Sequence, residues 1–250
     1  MILQNTPNSG EKFDFHGECD LVLLQTNSMR IHIRTKIESW WSFIESAVVE
    51  MGENQVLEVS GLDGGKYWVN GVAGKAMQVH DKVKTEFAGH KITITQSSQK
   101  QLSIRIDLGN SQALGISTFK SWVSVNLSSK ATTKGVAFEG AKGLMGSFPQ
   151  GEKLARDGTT VIDDSNQFGM EWQVRPDEPV LFREVGAVQA PAKCKMPNQT
   201  TKKLRRRLLG RDGITEEDAA TACEHVDEED RDGCIFDVLA TNDKDMAGAY

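Results

Sequence analysis

The chain has 250 residues, 38% of them apolar and 7% aromatic, and a net charge of −6. This balance excludes a disordered chain, and no stretch approaches the roughly 18 consecutive apolar residues that read as a membrane span. The acidic charge argues against nucleic acid as a partner, because phosphate backbones are bound by an excess of lysine and arginine. The length suits one large β-domain with a small appendage. Residues 1–12, MILQNTPNSGEK, contain neither the basic start nor the apolar centre of a secretory leader. The four cysteines, Cys19, Cys194, Cys223 and Cys234, form an even set without C-x-x-C pairs. That excludes the usual zinc and thioredoxin-like motifs and leaves three pairings open.

In chain order, Phe13 and Phe15 share one face of an extended segment. Gly17-Glu18 breaks it, and the apolar run Leu21-Val22-Leu23-Leu24 has the length of a buried strand. Cys19 lies at that corner. From Met29 to Arg34, Ile31 and Ile33 face one way while Arg30, His32 and Arg34 face the other, the period of a strand buried on one side. Trp40 to Val49 and Val56 to Val59 continue the pattern, and Leu62-Asp63-Gly64-Gly65 predicts a hairpin turn before Tyr67-Trp68-Val69. Asn70-Gly71 predicts another turn. Val79 to Phe87, Lys91 to Thr95, Leu102 to Ile106 and Trp122 to Leu127 bring the total to about ten short strands, the spacing of an antiparallel sandwich or barrel. Neither strand-helix alternation nor a glycine-rich phosphate loop occurs, which excludes a nucleotide-binding α/β fold.

Between Gly140 and Trp172 the chain reads GAKGLMGSFPQGEKLARDGTTVIDDSNQFGMEW, a long structured loop whose far end Phe168 and Trp172 pin to a core. Taken in order, FDFHGECDLVLLQ, GLMGSF and DGTTVIDDSNQFGMEWQV resemble the von Willebrand factor type D family over about Gly10 to Cys194. Members carry an aromatic-rich G-x-C strand near the start, a G-L-C-G-N-(Y/F)-N-G loop, and an acidic segment ending in tryptophan. The chain lacks the family's G-D-P-H strand, and Met145 occupies the position of the loop cysteine. Its N-terminus is therefore read as truncated, and one family disulfide as absent.

The resemblance implies an antiparallel β-sandwich and a Cys19–Cys194 bridge tying the first core strand to the last segment. It also raises calcium, which the family holds through oxygen ligands in the same loop. Here Ser147 and Pro149 replace the loop asparagines, so Glu152, Asp157, Asp163 and Asp164 are read as a solvated acidic loop; no metal ligand or cofactor is assigned. Further on, Thr215-x-x-Asp218 has the form of a capping box, with Ala219, Ala222, Cys223 and Val226 on one helical face. After the acidic turn Asp227 to Asp232, Cys234, Ile235, Val238 and Leu239 form a second face. A Cys223–Cys234 bridge suits a unit too small to bury much core.

Residues 10–186 are thus read as the type D-like β-domain, 187–213 as a basic linker and 214–250 as a disulfide-stapled helical tail. Asn198 and Asn126 match the N-glycosylation pattern, and the run ending in Arg205, Arg206 and Arg207 offers a processing site for a secretory protease. No nucleophile elbow or H-E-x-x-H motif accompanies Asp163-Asp164 or His16, and His32, His80 and His90 are explained by polar strand faces, so no catalytic residue is assigned. The expected role is a non-catalytic extracellular or cell-surface module for protein association, adhesion or matrix assembly, part of a larger secreted protein. Its expected partners are other extracellular proteins or itself. The alternatives are a lipid or small-ligand carrier and, less favoured, a secreted hydrolase.

Overall fold

The computed structural model describes residues 2–4, 12–128, 137–147, 151–185, 193–198 and 213–250. It divides into two compact units, 1–37 with 42–196, and 38–41 with 197–250. The first unit is mainly β. Strands β1 (Ile2–Gln4) and β2 (Lys12–Asp14) pair with each other. A six-stranded antiparallel sheet follows in the order β3 (Asp20–Gln25), β4 (Met29–Glu38), β5 (Trp41–Met51), β6 (Gln55–Ser60), β7 (Lys66–Val69) and β8 (Val72–Ala73). The second sheet has five strands, β9 (Lys82–Phe87), β10 (His90–Ser98), β11 (Gln101–Gly109), β12 (Gln112–Phe119) and β13 (Trp122–Ser128).

Both sheets are meanders, and several of their turns rest on residues that tolerate positive φ. Asn70 and Gly71 take φ of 53° and 78° between β7 and β8, and Ala88 and Gly89 take 51° and 78° between β9 and β10, the positive values that two-residue hairpins need. Alternation then sorts the side chains. Ile31 and Ile33 of β4, Ala47 and Val49 of β5, and Leu57 and Val59 of β6 enter one apolar core. Ile92, Ile94, Ile104, Ile106, Leu114 and Ile116 of the second sheet join the same core.

The free edge of β3 is completed by two returning segments. Leu144 and Met145 donate their amides to the carbonyls of Val22 and Leu23 at 3.0 and 3.1 Å, and Lys142 exchanges two bonds with Gln25. Nearer the start of the same edge Val22 donates to Trp172 and Val174 donates to Asp20, both at 2.8 Å. Helix α1 (Ser165–Glu171) sits between these segments, N-capped by Asp164, which accepts from the Gln167 amide at 2.8 Å. The sequence reading has no helix here and no strand at β12. Phe168 and Trp172 are buried, and Met145 fills core space.

In the second unit Thr215 and Asp218 form a reciprocal capping box on α2 (Glu216–Ala222). Helix α3 (Glu228–Thr241) begins immediately after Asp227, so the run expected to be an acidic turn is its N-cap and opening turn. Carboxylates are favoured there because helix N-termini carry unpaired amides and a positive dipole end. Ala219, Cys223, Cys234 and Val238 are fully buried, and the Trp40 and Phe236 rings meet edge to face at 5.8 Å. Among the described residues no helix is long and apolar enough to cross a membrane.

Gly143 permits the 142–145 segment to approach β3. Its φ is 146°, and a Cβ would lie 2.4 Å from the Leu23 carbonyl oxygen. Gly143→Ala is expected to destabilise the fold by about 2–4 kcal/mol, read as a lower denaturation midpoint with an unchanged urea m-value.

Candidate functional site

The outer face of the six-stranded sheet gathers charge under cover. Asp20 of β3 lies directly opposite Arg34 of β4 in the ladder. The guanidinium clasps the carboxylate through Nε at 2.7 Å and Nη2 at 2.9 Å, both residues being 3% exposed. Residues 174–185 run over this face as a strap. Arg34 Nη1 donates to the Val185 carbonyl at 3.3 Å, and its guanidinium lies 4.6 Å over the Phe182 ring. Leu181 and Phe182 pack on Val48 and Val56 in a second, smaller apolar cluster.

Glu58 of β6 fixes the end of the strap. Its carboxylate, 1% exposed, accepts from the successive amides of Arg183, Glu184 and Val185 at 3.0–3.1 Å. Three adjacent N–H groups form a concave nest that neutralises an anion without a cation. Arg156 fixes the start: it donates to the carbonyls of Glu171 at 2.8 Å and Gln173 at 2.7 Å, pairs with Glu178, and lies over Trp172. Between these anchors the strap and sheet enclose a cavity of about 100 Å³ lined by Asp20, His32, Glu178 and Phe182 among others.

His32 is the correction to the sequence reading. It lies on the predicted polar face of β4, but that face is covered, and the ring is 3% exposed with no hydrogen bond among the described residues. Burial first, then the positive charges of Arg30 and Arg156, hold its pKa down at about 4 against the upward pull of Glu178. Burial raises the Asp20 pKa despite the Arg34 contact, since desolvation outweighs the ion pair.

Each carboxylate described above already holds a guanidinium or a set of amides, and among the described residues no serine or cysteine lines the cavity. The candidates from the sequence are dispersed. His16 Nδ1 accepts from the Ser42 amide at 3.3 Å, and His90 Nδ1 lies 3.2 Å from the Asp107 carbonyl. Asp163 and Asp164 are exposed, Asp164 as the helix cap, and Asp157 closes a local turn by accepting from Thr159 and Thr160. Among the described residues no group of three or more His, Cys, Asp or Glu could hold a metal ion.

Cys19 is bonded to Cys194 and Cys223 to Cys234. Glu18 and Lys195 exchange backbone hydrogen bonds beside the first bridge, while Thr35 Oγ1 donates to the carbonyls of Gly17 or Cys19. Asn126 is exposed within β13, and Asn198 is exposed with the rest of its glycosylation pattern outside the described residues. Arg205, Arg206 and Arg207, and Pro149 of the loop, also lie outside them. No family model matches the chain, and no curated protein matches it.

The covered histidine gives a signed pH dependence. The unfolded chain binds a proton near pH 6.5 and the folded chain only near pH 4. Stability is therefore complete above pH 6.5 and falls as pH drops toward 4, by roughly 3 kcal/mol at most. The raised Asp20 opposes this in acid, so the difference between wild type and His32→Gln isolates the histidine: urea titrations should show a shallower loss in the variant across that interval. Millimolar calcium is expected to leave the melting temperature unchanged, because a ligand that bound the native state would raise it.

Proposed function

We propose that this protein is a non-catalytic module of the extracellular space or cell surface that works by protein association, adhesion or matrix assembly. We read its first unit as a β-sandwich of the von Willebrand factor type D kind and its second as a helical tail, the whole belonging to a larger secreted protein. The observation that carries this reading is the Cys19–Cys194 bridge. It joins residues 175 apart, at the corner where the first core strand begins. Bridges that persist in a resting fold belong to oxidising compartments, and the second bridge, inside the small helical unit, fits the same environment.

Association is better supported than carriage or hydrolysis. The cavities at the strap hold about 100 and 90 Å³, against roughly 300–1000 Å³ for sites that enclose small organic ligands. Among the described residues, the buried Asp20, Arg34 and Glu58 are engaged with one another or with the strap.

Non-reducing peptide mapping of protein from its native source tests the compartment. Linked peptides containing Cys19 with Cys194 and Cys223 with Cys234 are expected; four free thiols would overturn the extracellular role. The proposed processing at Arg205–Arg207 has its own signature. Neither bridge spans that run, so cleaved chain should separate into two fragments on a denaturing gel without reductant.

A further inference from the structure

Strand β9 forms one edge of the five-stranded sheet, and five of its six residues are exposed, Val83 at 40%. Phe87 and His90 close a two-residue hairpin with β10, and a closing pair of that kind exchanges both hydrogen bonds. Main-chain groups alternate along a strand, so Phe87, Thr85 and Val83 turn theirs toward β10. Consistent with this, the Asp81 carbonyl accepts from the Gln96 amide. The N–H and C=O groups of Glu86, Lys84 and Lys82 therefore point outward, and among the described residues no segment pairs with that side.

We infer that this edge pairs antiparallel with the same edge of a second copy, Thr85 facing Thr85 across a two-fold axis. The inference rests on the association reading and names the partner. In this register Lys84 of each chain lies opposite Glu86 of the other, and the outward groups of both strands meet. Val83, 40% exposed, comes to lie opposite the already buried Phe87, so the pairing adds cover to the Val83 side chain alone. Sliding one bonded step one way sets Lys84 against Lys84, with Lys82 then facing Glu86, and one step the other way sets Glu86 against Glu86, so only the Thr85-centred register has no like charges directly opposite. A shift of the other parity turns inward-facing groups onto outward-facing ones and loses the ladder. Lysines on an edge ordinarily keep strands apart. Here Glu86, two residues along on the same face, turns that repulsion into a preference for one register and one partner. Oppositely charged cross-strand pairs stabilise a ladder and like charges directly opposite weaken it. A closed isologous contact also consumes both edges, so pairing stops at the dimer.

Sedimentation of the full chain over a concentration series tests this with Lys84→Glu, Glu86→Lys and the double exchange. Both residues are exposed, and thermal melts establish that each variant folds. Wild type should dimerise, and each single variant, which places like charges opposite one another twice, should weaken dimerisation by about ten-fold or more. An equimolar mixture of the two single variants should form a heterodimer, since every cross-strand pair then joins opposite charges, and the double exchange should restore the homodimer. A wild type that stays monomeric at every concentration overturns the edge contact. So do single variants that dimerise as wild type does, or a mixture no tighter than its components. In that second case self-association survives and only its location is wrong, while the peptide map judges the extracellular reading independently.

Discussion

The first four strands of the six-stranded sheet, β3 to β6, are buried on both faces over most of their length, and much of the first unit follows from that constraint. A sheet with one wet face can leave its charges in water. When the strap covers the second face, Asp20, Arg34 and Glu58 need partners in place, because an isolated ion in a dry interior costs several kcal/mol. The ladder register supplies the first pair by setting Asp20 against Arg34. The strap supplies the rest through the three amides that reach Glu58 and the carbonyl that accepts from Arg34. The strap has no strand or helix of its own between Val174 and Val185, so its course is set by the charges beneath it and the small cluster around Phe182.

The dependence runs in both directions. Replacing such a pair with matched apolar groups can be neutral, whereas removing one partner leaves a buried charge and is expensive. The arrangement therefore specifies where the strap lies more than it adds net stability. Apolar contact alone would allow Leu181 and Phe182 to slide over the valines. Three amides on one carboxylate and a bidentate arginine do not.

Legibility in the sequence divides along the same physics. Strands with a steady period of two, such as Leu102 to Ile106, were readable because each residue's side follows from its position. The capping box at Thr215 was equally local. Strand β12 escaped because Gly115 interrupts an already short alternation, and α1 escaped because Asp164 and its polar neighbours read as loop while Gly169 counts against a helix. That glycine has a tertiary reason: a Cβ there would meet the Phe15 ring at 2.1 Å. His32 shows the deeper limit. Periodicity assigns a residue to a face of the sheet, but whether that face is wet depends on a segment more than a hundred positions away. Glu58, a lone charge in an apolar run, and the apolar pair at Leu181-Phe182 seeking a surface, were the available clues.

Edges complete the logic of the fold. A strand edge exposes a row of unsatisfied main-chain groups, and a stable domain must cover it, shorten it or charge it. At β3 the chain covers the edge with its own loops, and Cys19–Cys194 closes the corner where that strand begins. In the chain-entropy model, closing a loop across a separation of 175 removes enough unfolded-state freedom to stabilise by roughly 5 kcal/mol, an upper figure because measured gains are often smaller. At the opposite edge of the same sheet β8 is shortened to two residues. The β9 edge of the second sheet follows the third course: it is long and regular, and its lysines alternate with smaller side chains. Charge repels any strand that presents lysine in return but not one that presents glutamate at the matching place, and Glu86 places that glutamate on the strand itself. The device that guards the edge against other chains thereby leaves it open to its own copy.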